Sequence, residues 1–286
     1  LFATVYSTIY LDMAYSFRPY GFVFLFASLV LYTYILKISK PTYKTYILYG
    51  ISVLFLAATY YIGAIICCIL FIFDVIIIIK RKIKIYTLST YFIPALFILP
   101  WVVASFNRVS NLVQNFWPEE PEITSINNAI KYLTSYNDYL YLLLIFSTIF
   151  IVISMLNRKV SFFAVVAMSI VYGIISIIFL YSKLRSSIWQ NRYLLCTIPF
   201  LIFFTSYVLD KLFSYIKRKN KIKYYAIGVG TIFFLCAPQC IERVYGNVTS
   251  IFEPFAEAAD ILKVQDDIYS KTTLVYSSTA VGEGRY

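Results

Sequence analysis

Arginine, lysine and aspartate are rare in this chain, so where they stand says what chemistry is open to it. Arg18 lies in Tyr15-Ser16-Phe17-Arg18-Pro19-Tyr20, immediately before a long apolar run. Pro19 suits the first turn of a helix, where its missing N–H costs nothing. Arg18 then precedes a helix N-terminus, whose free N–H groups and dipole favour anions. Two readings stay open: a clamp for a phosphate or carboxylate, or an interfacial arginine snorkelling beside a tyrosine belt. Asp12 sits one helical turn before Ser16, where a charge is expensive and by default suggests function. It could equally pair with Arg18 or be exposed at a helix end. A second group is Lys183, Arg185, Trp189, Gln190, Asn191, Arg192 and Tyr193. Guanidinium forks in such a loop suit phosphate oxygens. Contact with anionic headgroups or an acidic neighbouring domain is the simpler alternative.

The elements that must position these groups are membrane helices. The 286 residues are 60% apolar, 20% aromatic and only 14% charged, with mean hydropathy +0.75. Soluble domains are nearer about 45–50% apolar and about 25% charged. The apolar blocks are long enough to cross a bilayer, at about 20 residues per helix. A net charge of +11 is scattered rather than gathered on one face, which removes the nucleic-acid reading. Four clusters hold fifteen of the 25 basic residues. They are Lys37, Lys40 and Lys44; Lys80, Arg81, Lys82 and Lys84; Arg158 and Lys159; and Lys211 with Lys217 to Lys223. Two crossings fit between successive clusters, so the positive-inside rule makes all four cytoplasmic. Glu119, Glu120, Glu122, Asp138 and the C-terminal tail then face outside the cell membrane.

The path follows: a partial helix at 1–15, then helices at 20–36, 45–58, 63–79, 86–105, 138–156, 161–180, 193–215 and 224–241. The long run from Tyr46 to Ile79 is broken at Thr59–Gly63, and an outer loop spans 106–137. The expectation is an all-α polytopic protein of eight to nine crossings, residues 1–241. Residues 242–286 begin a small outer α/β domain, with helical spacing at Phe255, Ala258, Ala259, Ile261 and Leu262 and a strand at Thr273–Tyr276. Leu1 starts inside an apolar run, and the tail holds one strand without partners, so both ends read as cut. Asp74 and Asp210, beside Lys80 and Lys211, read as structural. Tyr60 and Tyr61 read as belt residues, and the cysteines, Cys236 and Cys240 included, as small apolar residues of helices. The absence of histidine removes histidine bases and histidine-ligated zinc from these residues. No Gly-rich phosphate loop supports a nucleotide-driven pump.

Arg18-Pro19-Tyr20 before a long aromatic helix resembles a corner of bacterial C-type (GT-C) glycosyltransferases. These are relatives of the dolichyl-phosphate-mannose–protein mannosyltransferases and the lipid A aminoarabinose transferase. Pro100-Trp101, the Trp117-Pro118 loop followed by a short helix, and Arg192-Tyr193-Leu194-Leu195 leading to Pro199 resemble the same family in the same order. The tail from Ala256 to Tyr276 is similar to the start of its outer domain. The resemblance implies transfer of a sugar from a polyprenyl-phosphate donor to a glycan, lipid or protein acceptor on the outer face. It implies that the catalytic aspartate lies in a loop before Leu1, with Asp12 the remaining acidic candidate. Arg18 and Arg192 would bind the donor phosphate, with Lys183 and Arg185 beside them, and Tyr20, Trp117 and Tyr193 would line the cavity. Where the family commonly has an acidic residue two before the arginine, Ser16 stands here, which counts against a metal-linked or acidic role at this corner; a divalent metal stays open for the enzyme as a whole. A lipid-linked glycan flippase, or a glycan ligase or polymerase, would share much of this. A flippase would place cations at mid-membrane along a pathway, and a ligase would not need the α/β tail.

Overall fold

The computed structural model describes residues 20–80, 85–114, 120–185, 187–216 and residue 230. Asp12, Arg18, Trp117, the helix expected at 224–241 (residue 230, itself helical, excepted), Cys236, Cys240 and the tail 242–286 lie outside them. The described residues are all-helical, with no strand among them. We number the helices α1 (Tyr20–Ser39), α2 (Tyr43–Thr59), α3 (Tyr61–Ile79), α4 (Ser89–Gln114), α5 (Ile123–Leu133), α6 (Asp138–Leu156), α7 (Phe162–Leu184) and α8 (Ile198–Ile216). Short 3-10 turns at Ile85–Leu88 and Asn191–Thr197 lead into α4 and α8.

Among the described residues, five helical segments are long and apolar enough to cross a membrane: Gly21–Ser39, Tyr61–Ile79, Asp138–Leu156, Phe162–Leu184 and Asn191–Leu212. The crossings expected at 45–58 and 86–105 correspond to shorter apolar helices, Tyr43–Thr59 and Ser89–Pro100. The loop expected over 106–137 is more structured than its polarity implies. Helix α4 runs on to Gln114, and α5 spans Ile123–Leu133 within the stretch that follows.

The ends of the helices follow from local chemistry. Thr42 and Thr45 form a reciprocal capping box at the start of α2: the Thr45 amide donates to the Thr42 hydroxyl oxygen at 3.3 Å. The Asn137 carboxamide oxygen accepts from the Leu140 amide at 3.1 Å and opens α6. Each cap satisfies an amide that the first helical turn leaves without a partner. Ser135 and Tyr136 both adopt positive φ, 54° and 53°, and the Tyr136 amide donates back to the Lys131 carbonyl at 2.7 Å. Two left-handed residues in succession reverse the chain from α5 into α6.

The surface is apolar and polar groups are buried, an arrangement suited to lipid. Phe22, Leu25 and Tyr32 of α1, Ile72 and Ile79 of α3, and Leu142, Phe146 and Ile149 of α6 are all exposed. Inward, Val23, Ala27, Val30 and Tyr34 make one face of α1, spaced three or four residues apart as a helix requires. In lipid this face gains nothing from leaving water, so close packing and polar contacts hold the helices together. Helix α1 packs on α2 and α8, α2 on α3 and α4, α3 on α7, and α7 on α8.

Close approach is sharpest between α2 and α3, which a single extended residue, Tyr60, separates. Gly63 sits where a Cβ would come within 2.7 Å of the Leu56 carbonyl oxygen and 2.8 Å of the Leu56 Cγ. The carbonyl is backbone and cannot swing away. We therefore expect Gly63→Ala to destabilise the bundle by about 1–3 kcal/mol through overpacking. Gly50→Ala, whose Cβ would meet nothing nearer than 3.6 Å, is the control. Thermal unfolding of both variants in the same detergent checks this, and equal midpoints would contradict it.

Candidate functional site

The 3-10 segment Asn191–Thr197 organises one end of the bundle. It packs against α1, α3, α5, α7 and α8, and Tyr193, Leu194, Leu195, Cys196 and Thr197 are all buried. Its tight turn gives internal partners to groups that a buried loop would otherwise strand. The Thr197 hydroxyl donates to the Leu194 carbonyl at 2.7 Å, and the Tyr193 amide donates to the Gln190 carbonyl at 3.0 Å. Ahead of it, the Ile188 amide donates to the Ser182 hydroxyl oxygen at 3.1 Å. Trp189 stacks edge-on against Phe179, with ring centres 5.8 Å apart. These contacts fold residues 187–190 back over the end of α7 and hold Gln190 and Arg192 beside the hub.

Three tyrosine rings meet there. Tyr193 lies 6.2 Å from Tyr60 and 5.7 Å from Tyr61, edge to face, and the Arg192 guanidinium lies 5.6 Å from the Tyr193 ring centre. The Arg192 Nε and the Gln190 Oε1 are buried and have no hydrogen-bond partner. An unmade hydrogen bond at a buried donor or acceptor costs about 1–3 kcal/mol. A donor with no acceptor and an acceptor with no donor, two residues apart, fit a ligand carrying both an anionic oxygen and a hydroxyl.

The other expected site residues are placed differently. Lys183 is 3.5 Å from Glu120, with both side chains exposed, at 40% and 71%. Arg185 is exposed and closes α7, its amide donating to the Tyr181 carbonyl at 3.0 Å. Tyr20 opens α1, which itself packs against the 3-10 segment. Of the expected cavity, the described residues thus bring Arg192 and Tyr193 together. Tyr60 and Tyr61, read as belt residues in the sequence, join them. Tyr60 is buried while Tyr61 stays exposed as a belt residue would, and their signal was the helix break, which sets the pair at a tight turn.

The exposed pair Lys183–Glu120 makes a bland prediction. Screening and lost side-chain freedom leave such pairs worth about 0–1 kcal/mol. Lys183→Ala should change stability by less than this, and raising the salt concentration should shrink the difference further. A loss well beyond it in a denaturation series would mean that the pair anchors the loop ahead of α5.

A second polar cluster occupies the opposite end of the bundle, inside it. Lys37 and Asp74 are 1% and 0% exposed, and the Lys37 ammonium donates to the Asp74 Oδ2. Tyr91 donates to the same oxygen at 2.8 Å and accepts from Tyr49 at 2.8 Å. The ammonium also stands 4.3 Å from the Tyr49 ring centre, 4.7 Å from that of Tyr91 and 5.7 Å from that of Tyr34. The expectation that Asp74 accompanies Lys80 is corrected: its partner comes from α1, 37 residues earlier. Lys37 is likewise no part of a solvated basic cluster, whereas Lys40 and Lys44 are exposed. Asp210 is exposed.

Cys67 and Cys196 are buried, Cys68 is exposed, and all three are free thiols. Among the described residues no three Cys, Asp or Glu side chains gather as a metal site would need. No family model matches the chain, and neither a curated protein nor a solved structure gives a significant match.

Proposed function

We propose that this chain belongs to a membrane glycosyltransferase of the C-type arrangement, with eight to nine crossings, which takes a sugar from a polyprenyl-phosphate donor on the outer face of the cell membrane. One observation carries the reading: the buried Nε of Arg192 has no partner, at a hub also lined by Tyr60, Tyr61 and Tyr193. A donor phosphate supplies the missing acceptor, and tyrosine rings offer apolar faces to a sugar or a prenyl chain.

In the transfer, the bond between the sugar's anomeric carbon and the phosphate oxygen breaks. A bond from the acceptor hydroxyl oxygen forms, and the hydroxyl proton passes to a carboxylate base. Polyprenyl phosphate leaves with its charge increased, and arginine stabilises that charge because guanidinium stays protonated. Arg18, two residues before α1 in the sequence, is the second cation of this reading, and Asp12 is the acidic candidate within the chain. The acceptor is a glycan, a lipid or a protein.

The buried Lys37–Asp74 pair favours a second reading, a transporter of lipid-linked glycans, since charges inside a bundle suit a membrane pathway. The two separate in one assay. Membranes carrying the protein are offered radiolabelled undecaprenyl-phosphate sugars, with label transfer and label translocation read in parallel. Release or transfer of sugar is expected. Translocation without bond cleavage, or no binding of any lipid-linked sugar, would overturn the transferase reading.

A further inference from the structure

We propose that the buried cluster around Asp74 is a binding site for a monovalent metal cation of the sodium class, which Lys37 occupies in its absence. Four helices build the site: Tyr34 and Lys37 come from α1, Tyr49 from α2, Asp74 from α3, and Thr90 and Tyr91 from α4. The ammonium meets the Asp74 carboxylate, the Thr90 hydroxyl and the ring faces of Tyr34, Tyr49 and Tyr91. The Thr90 hydroxyl spends its proton on the Thr87 carbonyl at 2.7 Å, so at 3.4 Å from the Lys37 Nζ it is an acceptor. Tyr91 spends its proton on the Asp74 Oδ2, which also accepts from Lys37. These oxygens and ring faces suit a cation.

Two oxygens are left over. The Asp74 Oδ1 and the Tyr34 hydroxyl are both buried and without a hydrogen-bond partner, on residues 0% and 1% exposed. The Tyr34 hydroxyl stands close enough to Asp74 to interact with its carboxylate, yet neither atom makes a well-formed hydrogen bond, and a small cation held by both would satisfy them together. With the ammonium withdrawn, both Asp74 oxygens, the Thr90 hydroxyl, the Tyr91 hydroxyl and the Tyr34 hydroxyl form a set of hard oxygens suited to a small hard cation.

Charge decides the valence and the exchange. A lone cation added beside Lys37 would leave the buried cluster with uncompensated charge, which is costly. A cation that replaces the ammonium keeps the balance: one positive charge leaves and one enters. Lys37 can leave because it lies in the last turn of α1, where a four-carbon stem reaches the interface by snorkelling. A divalent ion in its place would again leave a net charge on a single carboxylate.

The site is independent of the transferase reading, and its test uses no sugar. The full protein in detergent is melted in sodium chloride and in choline chloride at equal ionic strength. Wild type should be stabilised by sodium, the effect growing with the logarithm of its concentration. If the lysine-out state is populated at about 0.1–10%, Lys37→Met should raise the apparent sodium affinity by about ten- to a thousand-fold. It should then melt low in choline and recover in sodium. Asp74→Asn should abolish the response, and Thr90→Ala should weaken it while leaving the ion pair in place. A wild type indifferent to sodium, lithium and potassium, or a sodium response that survives Asp74→Asn, overturns the site. If Lys37→Met cannot be recovered in either salt, the decision rests on wild type against Thr90→Ala, where equal responses count against it.

Discussion

Replacing Lys37 by Met in choline buffer should cost the bundle about 3–5 kcal/mol, the penalty for leaving a buried charge without its partner. The Asp74 carboxylate would keep only neutral hydroxyl neighbours, Tyr91 as a hydrogen-bond donor and Tyr34 close by. Asp74→Asn should cost less. The ammonium left behind retains three ring faces, each worth about 0.5–2 kcal/mol to a desolvated cation. Tyr91→Phe removes one hydrogen bond from the carboxylate and should cost about 1–3 kcal/mol. The double variant Lys37→Met with Asp74→Leu removes both charges at once. It should approach or exceed wild-type stability, because buried pairs replaced by packed apolar residues are often neutral or stabilising. Denaturation in mixed micelles gives all four values, and the order is the test. Should either single variant of the pair match wild type, the pair is not closed in solution as the structure has it.

That ordering depends on contacts hardly visible in the sequence. Composition and charge spacing were enough to place α1, α2, α3, α6, α7 and α8 within a few residues, because lipid demands apolar runs of a set length between polar ends. The break at Tyr60 was legible because the run from Tyr46 to Ile79 is too long for one helix. The pairing of Lys37 with Asp74 was not. Lys37 is near two other lysines in sequence and Asp74 is near Lys80, and local reading assigns each to its neighbours. Which residue a helix face meets is decided by how α1, α2, α3 and α4 pack, and that packing leaves no local signature. Helix α5 was legible only through the resemblance, since its polar residues read as loop. At the hub the balance reverses. Arg192 and Tyr193 were singled out by residue type in a loop, and the tight turn from Gln190 to Thr197 buries Tyr193 and half-buries Arg192. Tyr60 and Tyr61 joined them only through the packing of the 3-10 segment on α3.

The same hub carries the largest functional prediction. Arg192→Ala should lower kcat by about a hundredfold or more, the usual cost of losing one preorganised contact to charge developing in a transition state. Arg192→Lys separates charge from geometry. A lysine keeps the positive charge but loses the planar fork and the Nε donor, and the buried Nε is the atom without a partner. If phosphate charge alone matters, lysine restores most of the rate; if the Nε donor is used, it does not. Gln190→Ala gives an independent reading, since its orphaned Oε1 accepts from a hydroxyl rather than a phosphate. Its loss should fall on discrimination between sugars more than on the phosphate contact, and should differ among undecaprenyl-phosphate donors that vary in one hydroxyl. All three variants need the same melting temperature as wild type for the rates to be compared. Neither orphaned atom contributes a hydrogen bond that its loss could break, and the contact of Arg192 with the Tyr193 ring is what the melting temperature controls for. A Lys183→Ala variant with full activity would place the phosphate contact on Arg192 rather than on the exposed pair with Glu120. Unchanged turnover in Arg192→Ala would remove the arginine from the chemistry and leave it as a surface cation resting on Tyr193.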